Sequence, residues 1–370
     1  MQITNATNML TGYTMGMKPD GRECIVVVAK ATFDIPEPGR SLRLSKKQAP
    51  LVMADEFTGE PGYSATLYEV DYAPFKPKCD VLFNGSAYAP RGRTAEYVDV
   101  SLSVGEMTKS FSVVGNRHYG AASYVSFIPS APEPFEKLPF SYDNAWGGCD
   151  APEDDPENGK AFMGNPIGCG YYPISVGPAL EGKPLPNTFE KGRPIDSPSG
   201  NHKPMALGVV SRHAEHRSKW AGTYDEAWQE NVFPFLPRDF DERYYQAAPE
   251  DQQIDYPVGG EEIQLVNLSP HGRTSFKLPS IDIPVEFTTN EFDRIEQMAK
   301  LDTILIEPDL NRFILVWRTS IQLKKNIFEI PSCVVGRMSR AWYRARDMGK
   351  TYYPSLQAVA ASNRDEDEDE

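Results

Sequence analysis

Histidine and cysteine are both scarce, with five of each in 370 residues. The cysteines, Cys24, Cys79, Cys149, Cys169 and Cys333, are odd in number and scattered, and no two form a Cys-x-x-Cys pair. A disulfide framework, a zinc ribbon and a dithiol redox motif are therefore excluded, and free thiols in a reducing compartment are expected. His213 and His216 flank Glu215, which is not the His-Glu-x-x-His order of a zinc hydrolase. Arg212, Arg217 and Lys219 around them would oppose a cation, so no metal is expected there or at His202. Phosphate-binding loops, a dinucleotide fingerprint and a Gly-x-Ser-x-Gly elbow are absent, and no cofactor is expected. Cys149, after Trp146-Gly-Gly, has no histidine near it in sequence to act as its base.

Long apolar runs are missing too. The longest, around Ile25–Ala29, has the length of a strand and falls far short of the ~18 residues of a membrane span. The first residues, Met1 to Asn8, carry neither a basic nor an apolar leader segment, which predicts a cytoplasmic protein without membrane attachment. Net charge is −14, and the body stays acidic even without the six acidic residues Asp365 to Glu370. A broad nucleic-acid footprint is not expected on such a chain.

What the chain has in abundance is proline (32), glycine (28) and short β-branched runs. Cys24–Phe33 reads as a buried strand, and Asp80–Tyr88 as another, with Asn84-Gly85 as a turn or bulge. Tyr97–Val104 alternates, with Val98, Val100, Leu102 and Val104 on one face. Lys109–Val114 follows Gly105 as its antiparallel partner. From Pro129 to Pro204 periodicity disappears, but Trp146, Phe162, Tyr171, Tyr172 and Phe189 predict an ordered stretch. Further on, Glu261–Leu268 and Thr274–Leu278 read as a hairpin. Val285–Thr288, Leu301–Glu307 and Arg312–Arg318 read as strands, and Ser320–Leu323 continues the last or pairs nearby. Two helices are predicted. One is Glu291–Lys300, capped by Asn290, with Phe292, Ile295, Met298 and Ala299 inward. The other is Gly336–Gly349, with Met338, Ala341, Trp342, Ala345 and Met348 on one face and Arg337, Arg340 and Arg344 as a basic stripe on another.

The expected fold is mainly β, an α+β chain with few helices. It consists of antiparallel sandwich or barrel-like lobes joined by long, ordered, Pro/Gly-rich loops. Composition divides it into a β-rich segment (1–130), an irregular aromatic-rich middle (131–260), C-terminal strands and short helices (261–360), and a disordered acidic tail (361–370).

The densest cluster of special residues runs from Lys219 to Trp228 and from Leu236 to Gln252. Trp220, Tyr224, Asp225, Trp228, Arg238, Asp239 and Asp241 are the candidate partner-binding residues, because aromatic and arginine side chains anchor interfaces. Trp220 and Trp228 also suit a core, and Asp225 and Asp239 also suit turn caps. Among Asp225, Glu226, Asp239, Asp241 and Asp251 an acid/base pair for glycoside hydrolysis is conceivable. Arg238 and Arg243 are interleaved with them, so ion pairs and caps are the more economical reading. The stripe of Arg337, Arg340 and Arg344 would take an acidic partner, hold the acidic tail, or stay solvated.

Several separated blocks make the chain resemble the DUF2169 family of type VI secretion gene clusters. They are Lys30-Ala-Thr-Phe33; Asp71-Tyr-Ala-Pro-Phe-Lys-Pro-Lys-Cys-Asp-Val81; Gly85–Pro90; Gly115-Asn-Arg117; Tyr142–Gly148; and Pro184–Glu190. Trp220–Asp225, Leu236–Asp241, Ala248-Pro-Glu-Asp-Gln252, Leu301-Asp-Thr303 and Val316-Trp-Arg318 complete the set. The resemblance implies a cytosolic adaptor or chaperone that binds a toxic effector and loads it onto the VgrG trimer with its PAAR tip. It implies binding without catalysis. Two other readings stay open: a carbohydrate- or peptidoglycan-active hydrolase, and a structural component of the secretion tip.

Overall fold

The computed structural model describes residues 1–120, 128–151, 156–195, 197–353, 355 and 357. The acidic tail and any contact it makes with the basic stripe lie outside the described residues. The fold is mainly β, and among the described residues no sheet closes into a barrel.

Three sheets carry the architecture. The largest has seven strands. Its main path runs Gln253–Ile254, Cys79–Phe83, Lys300–Glu307, Arg312–Gln322, Glu23–Asp34, Leu10–Met17. A five-stranded sheet runs Thr188–Phe189, Met107–Val114, Tyr97–Val104, Glu262–Val266, Arg273–Lys277. A four-stranded sheet runs Gln2–Asn5, Ser332–Val335, Pro284–Thr288, Arg294–Met298. Each of the three contains strands from both 1–130 and 261–360.

The Glu23–Asp34 strand shows why the arrangement forms. Ile25, Val27, Ala29, Ala31 and Phe33 enter a core shared with Val98, Val100, Leu102 and Val104 of the five-stranded sheet. Cys24, Val26 and Val28 enter a second core on the opposite face, covered by Ala49, Val209, Ala247 and Ala248. A strand buried on both faces reads as a continuous apolar run, and this one sits inside the sheet between Arg312–Gln322 and Leu10–Met17. The Tyr97–Val104/Met107–Val114 hairpin forms as its alternation predicts, turning through Gly105 at φ 57°. The Pro/Gly-rich middle is ordered around Trp146, which is fully buried against Phe162, Tyr171 and His202.

Both predicted helices change. Residues 294–298 are a strand, paired antiparallel with Pro284–Thr288. Phe292 adopts φ 66° in the preceding turn, and the Asn290 side-chain amide donates to the Phe328 carbonyl instead of capping a helix. The ladder to a neighbouring strand outweighs a weak 3.6-residue periodicity. The C-terminal helix is shorter than predicted, Arg340–Asp347, capped by Ser339, whose Oγ accepts the Trp342 N–H. Ser339 is extended, at ψ 153°, so the helix starts after it and Arg337 lies outside. No helix among the described residues is long and apolar enough to cross a membrane.

Burial sets a pH signature. It pushes the phenols of Tyr68, Tyr172, Tyr245 and Tyr256 up to about 12. Their unfolded pKa is about 10, so the native state holds these protons longer. Stability from them is complete below about pH 10 and is lost as pH rises toward 12. Burial lowers Lys109 to about 8, which gives the opposite slope between there and its unfolded value near 10.4. Urea midpoints should therefore fall steeply above pH 10, with tyrosinate absorbance rising on unfolding. Phenols that ionise fully in the native state at about pH 10 would contradict this.

Candidate partner-binding surface

The stretch from Trp220 to Arg243 leaves the body as a short helical excursion. Asp225 and Asp241 cap local turns, and Asp239 ties the second motif block to the first. Asp225 caps the Glu226–Asn231 helix, its Oδ1 accepting the Trp228 N–H at 2.8 Å. Asp239 accepts the Thr223 N–H at 3.0 Å and its hydroxyl at 2.7 Å. Asp241 accepts the Arg243 N–H and Nε at 2.9 Å and Nη2 at 2.6 Å. Gly222 is required at φ 81°, because a Cβ would stand 2.7 Å from Pro237 Cβ.

With the turns closed, the aromatics face outward. Trp228 stands edge-on to Tyr224 and Phe233, with ring centroids 4.8 and 5.6 Å away. Its indole N–H donates to the Phe235 carbonyl at 3.0 Å, which fixes the ring. Tyr224 is 54 % exposed, Phe233 66 % and Phe235 47 %. Trp220 and Trp228 are only half-buried, so neither belongs to the core. Trp220 carries the Arg243 guanidinium 3.3 Å above its ring centroid, a cation–π stack. Arg238 is exposed, has no ion-pair partner among the described residues, and lines a groove of about 410 Å³ with Asp225, Trp228 and Asn231. Phe233 and Phe235 were not among the predicted residues. The Phe-Pro-Phe sequence between the two motif blocks was the available signal.

The excursion is fastened to the body by Arg217, which is almost completely buried. Its guanidinium donates to the Val210 carbonyl at 2.9 Å, the Tyr244 carbonyl at 3.0 Å and Glu69 Oε1 at 2.6 Å. Arg212 reaches Glu69 at 2.8 Å and Asp55 at 2.7 Å. Burial alone would raise Glu69, but Arg217, Lys76 and Arg212 outweigh it and hold the carboxyl below its ordinary value.

The same geometry bears on hydrolysis. A glycosidase acid needs a raised pKa. The Thr223 N–H and hydroxyl lower Asp239, and Arg243 lowers Asp241. Burial raises Asp251, but Lys109 and Lys203 reverse it. The imidazoles do not make a helical pair, because the Glu215–Ser218 helix begins after His213.

The basic stripe lies elsewhere. The C-terminal helix is tied to the Pro284–Thr288/Arg294–Met298 hairpin by Arg346–Glu286 at 2.9 Å and by an Arg294–Asp347 pair. Arg337, Arg340 and Arg344 are exposed and make no ion pair among the described residues.

A family profile described as an uncharacterized protein conserved in bacteria, DUF2169, matches residues 20–318. The chain belongs to the DUF2169 family. No curated protein and no solved structure matches it. Several of the blocks that carry the resemblance meet in one buried ionic network of this DUF2169 protein. Lys30 pairs with Asp71 at 2.7 Å, Lys76 with Asp80 at 2.7 Å, and Arg318 with Asp302 at 2.7 Å. Arg318 also donates to the Asp71 carbonyl at 2.7 Å. Asp80 accepts the Gln246 amide at 2.6 Å and the Ala247 and Ala248 N–H groups at 2.8 and 3.1 Å. These motifs therefore bind the chain to itself.

Proposed function

We propose that this DUF2169 protein is a non-catalytic adaptor of a type VI secretion system. It binds a toxic effector in the cytoplasm and promotes its loading onto the VgrG/PAAR spike. The observation that carries the reading is the excursion between Trp220 and Arg243. Three outward aromatics, Tyr224, Phe233 and Phe235, are held around Trp228 by capped turns. Exposed aromatics beside arginine, preorganised at low entropy cost, are the residues that dominate protein–protein binding energy. The carboxylates engaged as hydrogen-bond acceptors and ion-pair partners favour binding over hydrolysis.

The test is affinity capture of the tagged full chain from its native host, with mass spectrometry of what co-purifies. A spike protein recovered together with a toxin is the expected result, with the bait absent from secreted material. A bait that travels out with the spike would instead make it a component of the tip. A folded bait that captures neither would overturn the reading.

A further inference from the structure

A concavity that borders the base of the aromatic excursion at Lys219 serves no purpose in the reading above. It has a volume of about 650 Å³, within the range of small-ligand sites. Tyr142, Phe162, Pro204 and Pro249 form apolar walls. Among the described residues its charges are unequal: Lys109, Arg193, Lys203 and Lys219 against Glu190, Glu250 and Asp251. Arg193 pairs with Glu190 at 3.3 Å and Lys219 with Glu250 at 3.7 Å. That leaves Asp251 shared between Lys109 and Lys203, each at 3.0 Å. One carboxylate thus serves two ammonium groups.

The deficit falls on the buried partner. The Lys109 side chain is 4 % exposed. Its Nζ donates to Asp251 Oδ1 at 3.0 Å and Gln252 Oε1 at 2.8 Å. An ammonium has three N–H donors, and the third has no partner among the described residues. Desolvation lowers the pKa of Lys109 to about 8 despite Asp251, as expected of a charge short of counter-charge. His216 lines the same cavity, and its Nε2 is buried without a hydrogen-bond partner. Burial, then Arg217 and Lys219, lower its pKa, and Lys109 is close enough to add to the effect.

We propose that this cavity is a binding site for a single carboxylate carried on an apolar body. The carboxylate accepts from the free N–H of Lys109, with Lys203 at the rim, and the body lies against Phe162, Tyr142 and the two prolines. Glu190, Glu250 and Asp251 would repel a polyanion such as a nucleotide, and the four cationic side chains would repel a metal ion. One negative charge matches the unbalanced ammonium, and the apolar walls reward a hydrophobic group. The C-terminal residue of a polypeptide and a free acylated amino acid share this chemistry. The inference does not rest on the adaptor reading.

The experiment is a titration of the full chain, labelled at its histidine rings, with N-acetyl-phenylalanine and with N-acetyl-phenylalaninamide, followed by NMR. The acid should shift the His216 resonance saturably at millimolar concentration or below, and the amide should not. Lys109→Met should weaken the acid's binding at least tenfold, with its urea midpoint checked to confirm folding. Lys203→Gln, at the rim, should weaken it severalfold without touching the fold. An Ala-Ala-Ala-Phe peptide with a free carboxylate that binds tighter than the acetylated residue would assign the polypeptide source, and the reverse order the free acid. Equal response to acid and amide, no saturable shift, or indifference to both lysine variants would overturn the proposal.

Discussion

Arg318→Met should destabilise the protein by about 3–5 kcal/mol, the usual cost of removing one partner of a buried ion pair. Both side chains of the Arg318–Asp302 pair are 3 % exposed. Losing the guanidinium strands a carboxylate in the sheet and also leaves the Asp71 carbonyl without its Nη2 donor. Burial already raises Asp302 above the ordinary carboxylate value, against Arg318 and Lys76, and the variant should raise it further. A carboxyl whose folded pKa is raised contributes stability at low pH that is lost as pH climbs through the folded pKa. The defect should thus be largest near neutral pH and shrink toward the unfolded value near 4. Replacing both partners, Arg318→Met with Asp302→Leu, should recover most of the loss, because an apolar pair leaves no buried charge uncompensated. Urea midpoints at two pH values decide this. A loss below about 1 kcal/mol at neutral pH, or a double variant no better than the single, would show that the pair does not matter as argued.

Tyr224→Ala combined with Phe233→Ala should abolish partner capture and leave stability nearly unchanged. Both side chains are largely exposed, so their removal opens no cavity. Hot-spot aromatics cost about 2 kcal/mol or more each, roughly thirtyfold in affinity. The readout is recovery of spike and effector by the variant against the parent chain, beside the two unfolding curves. Undiminished capture by a folded variant would remove this surface from the adaptor reading. Trp220→Ala is less informative, since it also removes the Arg243 stack that closes the base of the excursion.

The candidate surface was legible only in part. Asp225, Asp239 and Asp241 suited turn caps by residue type; Asp225 and Asp241 are caps, because a short acceptor side chain beside unpaired N–H groups acts locally, whereas Asp239 instead ties its loop back to Thr223. Whether Trp220 and Trp228 belong to the core was not decidable from a motif. It depends on Arg217, whose anchoring partner Glu69 is distant in sequence. The cavity around Lys109 left no sequence signal, because its walls come from separate segments between Lys109 and Asp251.

The amino-acid sequence by itself determined the strands whose pattern is local. These include the alternating Tyr97–Val104, the doubly buried Glu23–Asp34 and the hairpin at Gly105. It also determined the family, through the order of its blocks. Tertiary structure alone decided that residues 294–298 pair as a strand and that strands from both ends of the chain share each large sheet. It also gathered Lys30, Asp71, Asp80, Asp302 and Arg318 under one face. The physical reason is the same in each case. A ladder hydrogen bond or a buried ion pair takes its energy from a partner far away in the chain, and no periodicity within a segment encodes which partner that is.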